Sequence, residues 1–117
     1  MIIGIVGSRR RNSLNDYSAV KEAFFKIYQP GDSICSGGCP LGADKFAEII
    51  ADAYQIPIII YPAEWDLYGR GAGFIRNTTI AETSDYLIAC VAEDRTGGTE
   101  DTIRKYVGMG KHKPIIV

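Results

Sequence analysis

Short apolar runs alternate regularly with segments of helical spacing along this chain of 117 residues. A continuous apolar run such as Ile2–Val6 is typical of a strand that is covered on both faces. Strands that alternate with helices are joined by crossover connections, which predict a parallel sheet with helices on both faces. We therefore expect an α/β fold: a single Rossmann-like domain over residues 1–117, with a five-stranded parallel sheet in the order 3-2-1-4-5. The predicted strands are Ile2–Val6, Asp32–Cys35, Ile58–Tyr61, Asp85–Val91 and Lys113–Val117.

Four segments between these strands carry apolar residues at the spacing of an amphipathic helix. These predicted helices lie at Tyr17–Tyr28, Phe46–Ala53, Phe74–Thr83 and Thr99–Met109. The stretch Pro62–Gly73, before the third of them, is predicted to be a long irregular connection. Loops of this length in a compact domain are usually functional or mobile.

The composition excludes several classes of protein. A formal net charge of −1 gives no bulk attraction to nucleic acid or to an anionic membrane. No apolar run approaches the roughly 20 residues that span a bilayer, and the first run lacks the basic region of a signal peptide. Cys35, Cys39 and Cys90 form no C-x-x-C pair, which predicts reduced thiols and a cytoplasmic location. The single His112 cannot complete a zinc site with them, so we expect no metal, and no cofactor is indicated.

Three glycine-containing turns each follow a predicted strand and precede a predicted helix. They are Gly7-Ser8-Arg9, the stretch Ser36–Asp44, and Gly97-Gly98-Thr99. Glycine lets a ligand come close to the backbone, and the N–H groups and dipole of a helix start favour a phosphate. In parallel sheets, ligands bind beyond the carboxyl ends of the strands, here at the switch between strands 1 and 4. The turns therefore predict a single phosphate- or nucleotide-binding edge.

Several candidate side chains have both a functional and a structural interpretation. Asp44 stabilises a helix start through the dipole, and it also suits a ribose hydroxyl or a base. Arg76 suits a phosphate or carboxylate, or else pairs with an acid such as Glu82. Trp65 stacks on a base or packs on the core as a lid residue. Thr99 is a natural N-cap, and its hydroxyl also suits a ligand phosphate. The full set of candidate ligand contacts is Gly7, Ser8, Arg9, Ser36, Gly37, Gly38, Gly42, Asp44, Glu64, Trp65, Arg76, Asn77, Gly97, Gly98 and Thr99.

Taken together, five segments resemble the SLOG superfamily, in particular its small YspA/YpsA-related branch of Rossmann-like proteins. The resemblance covers nearly the whole chain in order. It implies binding of a nucleotide or nucleotide-derived small molecule, and it implies a homodimer or higher homo-oligomer, because SLOG-type proteins commonly pair. The segments are Gly7-Ser8-Arg9, Ser36–Asp44, Ala63-Glu64-Trp65, Gly73–Asn77 and Gly98-Thr99.

The same resemblance raises an enzymatic alternative. LOG-type phosphoribohydrolases cleave the N-glycosidic bond of nucleoside 5′-monophosphates, and the resemblance maps Arg76 onto their catalytic arginine. Their hallmark P-G-G-x-G-T-x-x-E is incomplete here, since Asp94-Arg95-Thr96 replaces its start and Thr102 stands at the glutamate position. Asp101 or Glu100 would have to substitute for that glutamate, one step or more around the helix. The departures favour ligand binding over hydrolysis.

A third interpretation is single-stranded nucleic acid binding, as in the DprA-type proteins of the superfamily. Such binding needs a basic groove lined by aromatic side chains. Only the cluster Arg9-Arg10-Arg11 and Trp65 offer those features. The cluster is also typical of a solvated turn, so a nucleic acid partner is the weakest of the three hypotheses.

Overall fold

A computed structural model describes residues 1–117. The chain forms one five-stranded, all-parallel sheet in the order β3-β2-β1-β4-β5, which confirms the predicted fold and strand order. β1 occupies the centre, with Ile3 paired to Ile34 on one side and to Tyr86 on the other. The strands are β1 (Ile2–Gly7), β2 (Ser33–Ser36), β3 (Ile58–Ile60), β4 (Tyr86–Cys90) and β5 (Ile115–Ile116).

Helices cover both faces of the sheet and divide the core into two layers. On one face, Val20 and Phe24 of α1 and Phe46 and Ile50 of α2 pack against buried strand residues such as Ile5. On the other face, α4 and α5 cover a smaller cluster that includes the fully buried Tyr106. The long helices are α1 (Leu14–Ile27), α2 (Ala43–Tyr54), α4 (Ala72–Thr83) and α5 (Gly98–Gly108).

The connection between β3 and α4 is more regular than predicted. It contains a short helix, α3 (Trp65–Tyr68), followed by a 3₁₀ turn over Gly69–Gly71. The prediction of an irregular connection from Pro62 to Gly73 is therefore wrong in this part, and α4 begins at Ala72 rather than at Phe74. Trp65–Tyr68 contains neither glycine nor proline, and Gly69, with a φ of 57°, ends the helical turn. Glycine at that position adopts a positive φ without a steric penalty.

Side-chain hydrogen bonds hold the loop between β1 and α1 in place. Ser13 and Asp16 form a capping box at the start of α1. Arg11 pairs with Asp16 at 2.9 Å and donates to the carbonyl oxygen of Val91 at 3.1 Å. Asn12 accepts a hydrogen bond from the Gly42 amide at 2.8 Å, which ties the loop to the start of α2. The loop is thereby fixed to two neighbouring elements at the carboxyl edge of the sheet.

Two further observations bear on the setting of the protein. Cys35 and Cys90 are buried and Cys39 is partly buried, and none of the three forms a disulfide. None of the helices has the length and apolar character that crossing a membrane requires.

Candidate functional site

A cavity of about 400 Å³ lies where β1 and β4 end, between the β1–α1 loop, the β2–α2 loop, α4 and the start of α5. We call it the strand-end cavity. It occupies the switch point of the sheet, where the connections from the neighbouring strands β1 and β4 lead to opposite faces. Its lining is Val6, Gly7, Ser8, Arg9, Arg10, Cys39, Asp44, Arg76, Asn77, Ile80, Thr96, Gly97, Gly98, Thr99 and Thr102.

The start of α5 forms one wall of the cavity. Gly97 precedes the helix with a φ of 102° and provides no side-chain cap. Because the first N–H groups of a helix have no acceptor within the helix, those of Gly98 and Thr99 remain available to a ligand. The prediction that Thr99 is the N-cap is wrong, because Thr99 is the second residue of α5. The N-cap is Gly97, two residues earlier, whose positive φ is one that glycine adopts freely.

Arg76 and Asn77 enter the cavity from the second turn of α4. Arg76 donates from Nη1 to the Gly37 carbonyl at 2.9 Å and from Nε to Asn77 Oδ1 at 3.0 Å. Asn77 in turn donates to the Gly98 carbonyl at 3.2 Å. The expected alternative, an ion pair with Glu82, does not form; the other Arg76 nitrogen, Nη2, has no partner in the protein. The guanidinium is therefore oriented by uncharged groups and keeps hydrogen-bonding capacity.

Asp44 is the only carboxylate in the lining of the cavity. It lies in the first turn of α2 and is 7% exposed. Its Oδ1 lies 3.1 Å from the Ser36 hydroxyl, and its Oδ2 accepts a hydrogen bond from the Cys39 amide at 3.1 Å. Burial raises the pKa of the Asp44 carboxyl, and this effect outweighs the opposing effects of the Cys39 amide and the Arg76 charge.

The three consecutive arginines have different surroundings. Arg10 forms a bidentate pair with Asp94 at 2.8 and 2.7 Å, which joins the loops on the two sides of the cavity. Hydrogen bonding to Arg10 holds the pKa of the Asp94 carboxyl well below its usual range. Arg11 is engaged by Asp16, as described above. Arg9 is exposed and lines the cavity, and no protein group bonds its guanidinium.

The predicted glycines of the second turn bring the protein's own atoms close together. Gly42 has a φ of 77°, and a Cβ there would lie 2.5 Å from the Ser8 carbonyl oxygen. A Cβ at Gly37 would lie 2.5 Å from Arg76 Nη1. Gly38 also has a positive φ, of 78°. With Ser36, these glycines lie behind the lining and position Asp44 and Arg76, while Gly7 belongs to the lining itself.

Three more predicted site residues, besides Ser36 and the three glycines behind the lining, lie outside the cavity. Glu64 and Trp65 are at the start of α3, and neither belongs to the lining. Trp65 is 58% exposed, so the prediction that it packs on the core as a lid residue is wrong. The short helix α3 directs this segment along the start of α4, which spacing alone does not reveal. Asp101, the candidate catalytic carboxylate, is also absent from the lining.

Asp101 is instead part of a link between α4 and α5. It accepts a hydrogen bond from Asn77 at 3.2 Å and pairs with Lys105 at 2.9 Å and Arg104 at 3.4 Å. Burial raises the pKa of the Asp101 carboxyl. The hydrogen bonds from Lys105 and Asn77 and the positive charges of Lys105 and Arg104 together lower it by more, so the net shift is downward. Thr102, the next residue of α5, does line the cavity.

Several lining residues were not among the predicted contacts. Arg10 and Thr96 directly adjoin two of the predicted turns, and Cys39 lies within the third, so counting every residue of each turn and its neighbours would have included them. Ile80 and Thr102 follow Asn77 and Thr99 by three residues on α4 and α5, a spacing that places side chains on one helix face. No group of three or more His, Cys, Asp or Glu side chains is placed to hold a metal ion.

Comparison of the chain with models of protein families, with curated proteins and with solved structures gives no match.

Proposed function

We propose that this chain binds a nucleotide or a nucleotide-derived small molecule in the strand-end cavity. The observation that carries the proposal is the convergence of the start of α5, Arg9 and Arg76 on one polar cavity of about 400 Å³. Small-molecule sites commonly have volumes of roughly 300–1,000 Å³ and lie at the switch point of parallel sheets. The resemblance to the SLOG superfamily supports the same class of ligand.

A phosphate group is the part of such a ligand that these residues fit best. The free amides of Gly98 and Thr99 and the Thr99 hydroxyl offer three donors at the positive end of the α5 dipole. Arg9 and Arg76 add guanidinium donors from the facing walls. Phosphate oxygens accept several such hydrogen bonds at once, and charge-assisted bonds are the stronger kind.

Binding is favoured over glycosidic hydrolysis by the position of Asp101. A glycosidase needs a carboxylate beside the bond that breaks, to support the positive charge that develops on the sugar. Thr102 occupies the corresponding place in the lining, while Asp101 is held by Lys105 outside it. If turnover of a nucleoside monophosphate is nevertheless found, Asp101→Asn tests the alternative, since unchanged turnover would exclude Asp101 as the catalytic carboxylate.

Nucleic acid binding is less well supported than small-molecule binding. Arg10 and Arg11 are paired with Asp94 and Asp16, which leaves Arg9 as the only member of the basic cluster with an unpaired guanidinium. Trp65 lies outside the cavity, so no aromatic side chain stands beside Arg9 in the lining. An extended strand would need a longer basic groove with stacking side chains.

The proposal is tested by a thermal-shift screen of nucleoside monophosphates, nucleotide sugars, ADP-ribose derivatives and cyclic nucleotides. A ligand that binds only the native state raises the melting temperature by mass action. Each hit is then incubated with the protein and analysed by liquid chromatography. A hit that is recovered intact supports binding, and a hit that returns as free base and ribose phosphate assigns hydrolysis. No shift with any compound would contradict the proposal.

Arg9→Ala provides a direct test of the site, with Arg70→Ala as its matched control. Both arginines are exposed and neither side chain has a protein partner, so both variants should melt like the wild type. Only Arg9 lines the cavity. Because a hydrogen bond to a charged group contributes about 1.5–3 kcal/mol, Arg9→Ala should weaken binding of a screen hit about tenfold or more. Titration calorimetry measures the difference; equal affinities for the two variants would place the ligand elsewhere.

We further propose that copies of this chain self-associate in a cytoplasmic setting. The free cysteines support the location. Exposed apolar side chains on α3 and the first turn of α4 support the association, since contiguous exposed apolar surface marks interaction sites. These side chains are Trp65, Leu67, Tyr68, Phe74 and Ile75.

A further inference from the structure

The Ser36 hydroxyl has a single proton and two close oxygen neighbours. Its Oγ lies 2.7 Å from the Ile5 carbonyl oxygen and 3.1 Å from Asp44 Oδ1. A carbonyl oxygen can only accept, so the shorter contact takes the Ser36 proton. The remaining contact joins two oxygens inside a site where Ser36 is fully buried. A full hydrogen bond there needs a proton from Asp44, because an ionised Asp44 would have to share the single Ser36 proton with the closer Ile5 carbonyl.

Arg76 forms no ion pair with Asp44, although the two side chains lie close together. A Cβ added at Gly37 would lie 2.5 Å from Arg76 Nη1 and 2.9 Å from Asp44 Oδ2, so the two side chains approach the same point. Arg76 nevertheless donates to the Gly37 carbonyl and to Asn77, and none of the ion pairs of the chain includes Asp44. A buried ionised carboxylate is normally paired, whereas an uncharged acid needs only hydrogen bonds.

We infer that Asp44 holds a proton in the unliganded protein and, by carrying no charge, selects an anionic ligand group such as a phosphate or carboxylate. This inference rests on the proposed function, because it concerns the same cavity. A protonated acid beside Arg76 carries no negative charge, so an anionic group meets no repulsion there and is attracted by the Arg76 guanidinium. The single proton of Asp44 is used in the contact with Ser36, so Asp44 acts through its missing charge and not as a donor to the ligand. The role differs from the expected one, in which Asp44 contacts a ribose hydroxyl or a base.

The charged and titratable groups around Asp44 do not cancel the effect of burial. On α2, Glu48 disfavours ionisation of Asp44, and on α4, Arg76 favours it. The start of α5 contributes no titratable side chain to the cavity. The remaining titratable groups that line the cavity are Arg9, Arg10 and Cys39, on the two loops.

Carbon NMR of protein labelled with ¹³C at the aspartate carboxyl groups tests the protonation without any ligand. The Asp44 signal is assigned by its loss in Asp44→Asn. We expect Asp44 to titrate at clearly higher pH than the other aspartates. Ionisation together with the exposed aspartates would overturn the inference.

Sulfate tests the selection of an anionic group, because its charge is constant over the pH range of the experiment. Binding of sulfate favours the protonated form of Asp44, so the wild-type affinity should fall as pH rises through the Asp44 titration. In Asp44→Asn this fall should be absent, since the side chain stays neutral. Sulfate binding with the same pH dependence in both proteins would overturn the selecting role. The Asp44 NMR midpoint should also rise in saturating sulfate, by linkage.

Folding stability supplies a third test, with Asp101→Asn as the control. An asparagine at position 44 reproduces the protonated acid: its amide N–H₂ donates to Ser36 and its carbonyl accepts from Cys39. Asp44→Asn should therefore shift the melting temperature at neutral pH by less than about 2 °C. Asp101→Asn removes an ionised, paired carboxylate and should lower it further. An equal loss in the two variants would overturn the inference.

These measurements separate the inference from the proposed function. An ordinary titration of Asp44 together with nucleotide binding would remove the inference and leave the function. If Asp44 titrates at raised pH but neither sulfate nor any nucleotide binds, the proposed function and the selecting role of Asp44 are both excluded.

Discussion

Gly42 determines how closely α2 approaches the β1–α1 loop. Its φ of 77° and ψ of −154° belong to a region that only glycine occupies readily, and a Cβ would lie 2.5 Å from the Ser8 carbonyl oxygen. We expect Gly42→Ala to lower the free energy of unfolding by about 2–4 kcal/mol, since the backbone strain alone costs about 1–3 kcal/mol. Urea denaturation measures the loss.

Gly108→Ala is the control for that substitution. Gly108 is the last residue of α5, and no atom lies within 4 Å of the position of an added Cβ. Alanine there should leave stability unchanged or raise it by up to about 1 kcal/mol, because alanine is the better helix former. Similar losses in the two variants would mean that contact with Ser8 is not what requires glycine at position 42.

At single residues, the sequence predicted the positions of the glycine turns correctly but not which groups lie against the glycines. Gly37 and Gly42 were expected to make room for a ligand, and they make room for Arg76, Asp44 and Ser8. A glycine signals close approach of some group without identifying that group. Likewise, Asp44 is placed correctly in the first turn of a helix, but its burial and its contact with Ser36 depend on the neighbouring strand.

At the level of elements, Asp101 stabilises the packing of α5 on α4. Its pKa is lowered in the folded protein, so its contribution is fully present above the pKa of an unfolded aspartate and is lost as pH falls through the folded value. We expect Asp101→Asn to lower the free energy of unfolding by about 1 kcal/mol at neutral pH. In denaturation series at decreasing pH, the two proteins should converge once the wild-type carboxyl is protonated. A constant difference would mean that charge is not the cause.

The boundaries of α3, α4 and α5 show where element prediction from sequence stops. Glycines at 69, 71 and 73 suggested an irregular chain, yet Ala72 begins a helix and Gly73 lies within it. α4 packs against α5, and Lys105 of α5 donates to the Phe74 carbonyl in the first turn of α4; such tertiary contacts override weak local propensity. At α5, the N-cap is Gly97 and not Thr99, although threonine is the better capping side chain. Gly97 adopts the positive φ that the chain has at this point.

For the whole molecule, the strand order was predictable because few topologies satisfy the pattern. The longest strand, β1, needs neighbours on both sides, and parallel connections must cross a face of the sheet. The switch between β1 and β4 then places the three glycine turns at one edge, where the cavity lies. The walls of that cavity were less predictable, since Trp65 and Arg76 are close in the chain and only Arg76 turns inward.

The exposed apolar side chains of α3 and α4 predict that copies of the chain self-associate. Leu67 is 67% exposed and Trp65 and Phe74 are 58% and 59% exposed, so they cost hydration free energy in an isolated chain. Stable interfaces bury roughly 800 Å² on each partner, with a core of aromatic and apolar residues, and this surface has that character. We expect sedimentation equilibrium to show a dimer or higher oligomer and Leu67→Glu to weaken its association at least about tenfold, because a charge would be buried without a partner.

Leu14→Glu is the matched control, since Leu14 is 78% exposed at the start of α1, away from α3 and α4. A glutamate in the first turn of a helix is also compatible with the dipole, so the fold should tolerate it. The association constant of Leu14→Glu should equal that of the wild type. If both variants dissociate alike, the contact surface is not the one on α3, and a wild-type monomer at all concentrations would contradict self-association itself. Ligand binding by Leu67→Glu then decides whether the cavity needs the partner, because Arg9, Arg76 and the start of α5 all come from one chain.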